Sequence, residues 1–120
     1  MSYPGYELNQ YQRDAARTGG SDLRKRASQK ALSCVGLGVA GEAGEVADLI
    51  KKHVHHRVPL DEAKLRKELG DVLWYLAHAC NVMGWNLGDI AEENINKLRK
   101  RYPDGFSSSA SVARADEVTR

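Results

Sequence analysis

Two pairs of acidic side chains stand three residues apart in this 120-residue chain, each among apolar and glycine residues. The first pair is Glu42 and Glu45 in the run GEAGE, and the second is Glu68 and Asp71 in the run ELGD. Residues three apart share one face of a helix. Two such helices, packed antiparallel through their apolar stripes, would bring four carboxylates together between them.

Four converging carboxylates need a compensating cation, because like charges and burial both raise the pKa of an acid. Carboxylate oxygens suit Mg²⁺, Mn²⁺ or Ca²⁺. A di-iron bundle would place histidine at the second position of such pairs, where this chain has Glu45 and Asp71. The set therefore favours Mg²⁺, with Mn²⁺ as a substitute. Mg²⁺ bound in this way also binds substrate phosphates, which indicates phosphoanhydride hydrolysis as the reaction class.

Spacing alone leaves a second interpretation open. Acidic residues three apart are also common on solvated helix faces, where they bind nothing. The apolar and glycine residues around both pairs, in place of lysines, favour the metal site over the solvated face.

The elements that must position these acids are predicted to be helices joined by short turns. They cover about residues 6–17, 29–53, 61–83 and 86–101, with a loop over 22–30 and a turn over 55–60. Ser28 and Asp61 are predicted N-caps, and Gly84 ends the third helix. The expected fold is all-α: a compact bundle of four to five helices with antiparallel metal-binding helices, whose broad apolar stripes favour oligomerisation.

The second helix carries glycines that are costly in a helix, at about 1 kcal/mol each relative to alanine. They indicate either a break near Gly36–Gly38 or a close approach of backbones, and close helix packing beside a ligand site is the favoured explanation. The four glycines are Gly36, Gly38, Gly41 and Gly44.

Length and composition fit one intracellular domain, placed at residues 1–106, with a flexible tail at 107–120. Both cysteines, Cys34 and Cys80, lie in apolar runs and are expected to be buried reduced thiols. No signal peptide or membrane-length apolar run is evident, so a cytoplasmic protein without membrane partners is expected. The net charge of +2, with acids and bases interspersed, does not favour nucleic acid as a partner.

Three runs of sequence resemble the MazG-like nucleotide pyrophosphohydrolases of the all-α NTP pyrophosphatase superfamily. They are GLGVAGEAGEVADLIKK, KELGDVLWYLA and NINKLRKRYPDGF, and they span about Leu37 to Phe106. The resemblance implies Mg²⁺-dependent hydrolysis of (deoxy)nucleoside triphosphates to the monophosphate and pyrophosphate, in nucleotide-pool house-cleaning. It also implies a homodimer or homotetramer, and it leaves the preferred base open.

The matching motifs also imply roles for individual residues. The four acids become metal ligands and catalytic residues, and either Glu42 or Glu45 also orients or deprotonates the attacking water. Five further residues are implied in substrate binding, where a core or solvated role is the alternative for each: Tyr75, Asn94, Lys97, Arg101 and Tyr102. Lys52, which follows the first pair of acids, is a further candidate to bind phosphate, with a solvated role as its alternative.

Three other interpretations remain to be compared with the enzyme. One is a non-catalytic helical oligomer that binds a nucleotide or a protein partner. Another is a nucleic-acid module that uses the basic runs Arg24–Arg26 and Lys97–Arg101, which the small net charge disfavours. The third is a transition-metal site at His53, His55 and His56, for which a solvated turn is the simpler explanation.

Overall fold

A computed structural model describes residues 6–20 and 28–118 of the chain. Within those ranges it has α-helices and no β-strand, which confirms the all-α class. The helices are α1 (Leu8–Ala16), α2 (Gln29–His56), α3 (Glu62–Met83), α4 (Leu87–Arg101) and α5 (Ser108–Ala113), followed by a 3₁₀ turn at Ala115–Glu117. The basic run Arg24–Arg26 and most of the predicted 22–30 loop lie outside the described residues. The chain divides into two compact units, the first ending at Leu87 and the second beginning at Gly88.

Helix α2 begins where the sequence predicted. The Ser28 hydroxyl accepts a hydrogen bond of 3.1 Å from the Ala31 N–H, which satisfies one of the free donors of the first turn. The helix is continuous through its four glycines, which excludes a break near Gly36–Gly38, the less favoured of the two alternatives. The other predicted explanation, a close approach of another element, applies to one of them: a Cβ added at Gly38 would overlap the ring of Tyr75.

The end of α2 lies later than the sequence predicted. The helix runs to His56, so the prediction of a turn from His55 onward is wrong at its first two residues. Arg57 adopts the left-handed conformation that ends the helix, and the Val58 N–H bonds back to the Lys52 carbonyl at 3.2 Å.

Helix α3 has both of its predicted ends. The Asp61 carboxylate accepts a hydrogen bond of 3.0 Å from the Lys64 N–H, and Gly84 ends the helix with a φ of 72°. The order of its contacts shows that α3 runs antiparallel to α2: Gly38 faces Tyr75, whereas Glu42, one turn later on α2, faces Glu68, two turns earlier on α3.

Helix α1 packs on α3 around a small core. Its apolar members are Ala15, Ala77, Cys80 and Leu87, with Tyr11, Leu73 and Trp74 packed against them. Buried within this contact, Gln12 is only 7 % exposed. Its Nε2 donates to Asn81 Oδ1 at 2.9 Å and to the Trp85 carbonyl at 2.7 Å, and its Oε1 accepts from the Leu87 N–H at 2.6 Å. One amide therefore ties α1 to the end of α3.

Replacing Gln12 by leucine is expected to lower the free energy of unfolding by about 1.5 kcal/mol. Leucine fills the space but leaves the Leu87 N–H buried without its partner, and an unsatisfied buried donor is costly. Urea denaturation measures the loss. Gln10→Leu, at an exposed position of the same helix, is the control and should stay within about 0.5 kcal/mol of wild type. Equal effects of the two substitutions would contradict the role given to Gln12.

The prediction that both thiols are buried is half correct. Cys80 is buried in the α1–α3 core, whereas Cys34 is exposed. The reason is that α2, over its 28 residues, buries only Ala31 within the described chain. Large apolar side chains of α2 are exposed instead: Leu32, Leu37, Ile50 and Val54.

The second unit contains α4, α5 and the 3₁₀ turn. The sequence predicted a flexible tail over residues 107–120, and the structure has a short helix there, capped by Ser107, whose hydroxyl accepts from the Ala110 N–H at 3.1 Å. The flexibility of this segment stays a prediction. Earlier in the unit, the rings of Tyr102 and Phe106 pack 5.4 Å apart just beyond the end of α4.

Candidate metal centre

Three of the four predicted acids meet between α2 and α3. Glu42, Glu68 and Asp71 each offer a carboxylate oxygen, and these oxygens lie within 4.8 Å of one another. Glu42 and Glu68 are half-buried and Asp71 is exposed, so the cluster is open to solvent on one side. The antiparallel packing of the two helices brings these three acids together, whereas the sequence predicted that all four would meet.

The neighbouring acids change the pKa of Glu42. Burial raises the pKa of its carboxyl group, and the charges of Asp71 and Glu68 raise it further. A hydrogen bond with Glu68 and the charge of Glu45 act in the same direction. A divalent cation bound among these carboxylates would relieve the same repulsion.

The three residues fit a hard divalent cation. Mg²⁺ takes six oxygen ligands at about 2.1 Å, which puts neighbouring ligand oxygens about 3 Å apart and opposite ones about 4.2 Å apart. Carboxylate oxygens that lie within 4.8 Å of one another are compatible with that arrangement. Three carboxylates also leave positions for water and for phosphate oxygens, and their oxygen-only donor set does not favour a soft transition metal.

The raised pKa of Glu42 predicts how the stability of the metal-free protein depends on pH. Because the pKa of Glu42 is raised on folding, the native state binds more protons than the unfolded state just above the ordinary glutamate range. The free energy of unfolding should therefore fall as the pH rises through the raised pKa. Glu42→Gln stays neutral and should lack this decrease, so the variant should be the more stable protein at neutral pH.

Urea denaturation in EDTA, repeated across the pH range, measures this effect. Below the ordinary glutamate range the two proteins should have equal stability, because both side chains are then neutral, and this point is the internal control. Parallel pH profiles for wild type and Glu42→Gln would show that no repulsion is stored in the cluster.

Gly38 of α2 and Tyr75 of α3 are in contact one helical turn from the acids, and this contact determines how closely the two helices pack. Gly38 precedes Glu42 by one turn of α2, and Tyr75 follows Asp71 by one turn of α3. The half-buried Tyr75 ring lies where the Cβ of any larger residue at position 38 would be. It also packs edge-on against Trp74, with ring centroids 4.9 Å apart. The absence of a side chain at Gly38 thus allows α2 and α3 to pack closely beside the cluster.

The remaining predicted site residues of the first unit lie outside the cluster of three acids. Glu45 is exposed and is not among the three clustered acids, although its charge acts on Glu42. Lys52 lies ten residues beyond Glu42, about 15 Å along the helix axis. Its ammonium group pairs with Asp48 at 2.8 Å. His53 Nδ1 donates to the Val58 carbonyl at 2.9 Å, and all three histidines of the α2 end are exposed.

Four predicted substrate-binding residues belong to the second unit. Asn94 and Lys97 are exposed on α4, and Arg101 and Tyr102 stand at its end. Arg101 forms a bidentate ion pair with Asp116, at 2.5 Å from Nε and 2.9 Å from Nη2. Sequence reasoning missed Asp116, because it lies in a segment without apolar periodicity and nothing local marks its partner.

The chain is similar to a known protein family over more than half of its length. A family model described as the MazG nucleotide pyrophosphohydrolase domain matches residues 31–106. The chain belongs to that family. The matched range contains all four predicted acids as well as the α4 residues.

One relative is a phage protein whose printed name states no activity. It is the "Gene 37 protein" of Mycobacterium phage L5, and it is 39 % identical over 82 residues. The match covers 65 % of this chain and 72 % of the relative. No solved structure matches the chain. In the part of the chain that the structure describes, none of the helices has the length and apolar character that a membrane span requires.

Proposed function

We propose that this chain hydrolyses (deoxy)nucleoside triphosphates to the monophosphate and pyrophosphate with Mg²⁺, as a nucleotide-pool house-cleaning enzyme. The observation that carries the proposal is the cluster of Glu42, Glu68 and Asp71 between two antiparallel helices. Membership of the MazG nucleotide pyrophosphohydrolase family supports the reaction class. Mn²⁺, which takes the same oxygen ligands, is the expected substitute.

The four acids have two proposed roles, which are to bind the metal and to activate the attacking water. Glu42, Glu68 and Asp71 hold Mg²⁺, and Glu45 joins them when the cation removes the repulsion among the carboxylates. Mg²⁺ in such a site neutralises phosphate charge and lowers the pKa of water. Glu42 or Glu45 orients or deprotonates the water that is consumed as the bond between the α- and β-phosphoryl groups breaks. The exposed position of Glu45, one turn from Glu42, supports its access to solvent water.

Several residues outside the cluster are proposed to contact the nucleotide. Tyr75 stands one turn from Asp71, so its hydroxyl group is suited to bind a phosphate or the sugar. The contributions of Asn94, Lys97, Arg101 and Tyr102 stay predictions of the family motif, and that of Lys52 stays a prediction from its position after the acids. For Lys52, the ion pair with Asp48 must first open.

A nucleotide panel tests the function. Purified protein is incubated with the four canonical NTPs, the four dNTPs and dUTP, with Mg²⁺ or with EDTA, and pyrophosphate release is measured. We expect release with Mg²⁺ and none with EDTA, and the panel also identifies the preferred base and sugar. Saturable nucleotide binding without any turnover would instead support the non-catalytic alternative.

The proposal includes a homodimer or homotetramer. The apolar side chains that α2 leaves exposed support it, since exposed apolar patches of this kind mark association surfaces on soluble proteins. Leu37 on this helix is 73 % exposed. Light scattering at micromolar concentration should give the mass of two or four chains, and a monomer mass would contradict this part of the proposal.

A further inference from the structure

Helix α2 carries a second stripe of apolar residues on the side that faces away from α3. At about 100° per residue, the stripe occupies a sector of about 80° that is centred about 140° from Gly38, the residue that faces Tyr75. Its large side chains Leu32, Ile50 and Val54 are 44 %, 45 % and 61 % exposed. A helix that is apolar on two sides is typical of one with a second packing partner. We call this set the outer stripe: Leu32, Gly36, Val39, Ala43, Ala47, Ile50 and Val54.

The spacing of the outer stripe is the same in both directions from Ala43. Its members follow at intervals of four, three and four residues toward Leu32, and at the same intervals toward Val54. A two-fold axis beside Ala43 would therefore place every member of the stripe opposite another member in an antiparallel copy of the helix. The stripe is self-complementary in position.

Under this two-fold axis, large side chains also lie opposite small ones. Gly36 is opposite Ile50 of the second copy, and Val39 is opposite Ala47. Nothing lies within 4 Å of a Cβ added at Gly36, so the surface there has room for the Ile50 side chain. Ala43 meets itself at the axis, where two small side chains allow the helices to approach closely. A parallel pair would instead place Gly36 opposite Gly36 and leave a gap between the helices.

The charges of α2 are compatible with the same arrangement. The outer stripe itself has no charged member. The charged residues of α2 between Leu32 and Val54 are Glu42, Glu45, Asp48, Lys51 and Lys52. In the antiparallel pair they lie opposite positions 44, 41, 38, 35 and 34, which are all uncharged, so the pairing brings no like charges directly together. A second copy of α2 therefore fits this surface in both shape and charge.

We propose that α2 pairs antiparallel with α2 of a second copy of this chain through the outer stripe, about a two-fold axis beside Ala43. At a rise of 1.5 Å per residue, the paired surface extends along about 33 Å of each helix. The inference rests on the homo-oligomer of the proposed function, and it identifies the surface and the helix orientation that the oligomer uses. It does not depend on nucleotide hydrolysis.

Light scattering of two lysine variants tests the surface. Gly36→Lys places an ammonium group opposite Ile50 of the second copy, and should halve the mass measured for the wild-type chain at micromolar concentration. A Cβ at Gly36 meets nothing in its own chain, so the variant should remain helical by circular dichroism. Gly41→Lys is the matched control, because it has the same open surroundings on α2 but lies outside the outer stripe. It should keep the wild-type mass.

Disulfide trapping measures the orientation of the pair. Cys34 is exposed, so all variants carry Cys34→Ser. On mild oxidation Ala43→Cys should form a covalent dimer, because the two copies of this residue meet at the axis. Ala47→Cys alone should not, because its two copies are about 12 Å apart along the helices and a disulfide needs Cα atoms within about 7 Å. An equimolar mixture of Val39→Cys and Ala47→Cys should form the mixed covalent dimer.

The outcomes separate this interface from the oligomer itself. Equal trapping of Ala43→Cys and Ala47→Cys would indicate a parallel pair and overturn the proposal. A wild-type mass for Gly36→Lys, without trapping of Ala43→Cys, would overturn this interface and leave the homo-oligomer standing. A monomeric wild-type chain would overturn both. A failure of hydrolysis in the nucleotide panel would contradict the proposed reaction and leave the pairing of α2 unaffected.

Discussion

Replacing Glu68 by glutamine is expected to abolish metal-dependent turnover, with a fall in kcat/KM of more than about a hundredfold. Loss of a residue that merely orients a metal ligand costs about ten- to a hundredfold in affinity or activity, and Glu68 is proposed as a ligand itself. Glutamine keeps the size and helix propensity of glutamate but removes its charge. The variant should therefore remain as helical as wild type while its Mg²⁺ affinity falls with its activity.

The stability of Glu68→Gln shows whether the substitution removes only the metal site or also disrupts the fold. In EDTA, Glu68→Gln removes a charge that raises the pKa of Glu42, so the metal-free variant should be no less stable than wild type. Glu62→Gln makes the same exchange at an exposed position of α3, away from the clustered oxygens, and is the control for activity. Pyrophosphate release and circular dichroism on the same samples test the prediction. Normal turnover by Glu68→Gln would remove Glu68 from the site, and Asp71→Asn repeats the test for the second acid of α3.

Helix periodicity explains why three of the acids could be predicted to meet. Spacing in sequence converts into position on a helix face, and antiparallel packing then brings the two faces together. The same argument does not determine how each helix is rotated about its axis. Three residues advance a helix by about 300°, so the members of each pair are rotated about 60° apart. On α3 both Glu68 and Asp71 reach the cluster, whereas on α2 only Glu42 does.

Contacts between distant parts of the chain could not be predicted for a different reason. Gln12 lies 69 to 75 residues from its hydrogen-bond partners, and a buried amide on an otherwise polar helix leaves no periodic signal. Arg101 and Asp116 are 15 residues apart, and the segment between them has little periodicity. By contrast, local signals predicted the N-caps at Ser28 and Asp61 and the end of α3 at Gly84, because these depend on neighbouring backbone groups alone.

Gly38→Ala and Gly41→Ala are expected to change stability in opposite directions, with a difference of about 3 kcal/mol. Nothing lies within 4 Å of a Cβ added at Gly41, so alanine there gains up to about 1 kcal/mol of helix propensity. A Cβ at Gly38 overlaps the Tyr75 ring, and overpacking of this kind costs more than the propensity returns, for a net loss of about 2 kcal/mol. Thermal or urea denaturation of the two variants measures the difference.

The same overlap should also weaken the metal site, because Gly38 and Tyr75 lie one turn from Glu42 and Asp71 respectively. Pushing α2 and α3 apart at this level separates the carboxylates of Glu42 and Asp71, so Gly38→Ala should lower Mg²⁺ affinity while Gly41→Ala leaves it unchanged. A double-mutant cycle with Tyr75→Leu identifies the cause. If the ring is the obstacle, Gly38→Ala should cost much less stability in the Tyr75→Leu background than in wild type. An equal cost in both backgrounds would mean that Gly38 is required for a reason other than its contact with Tyr75.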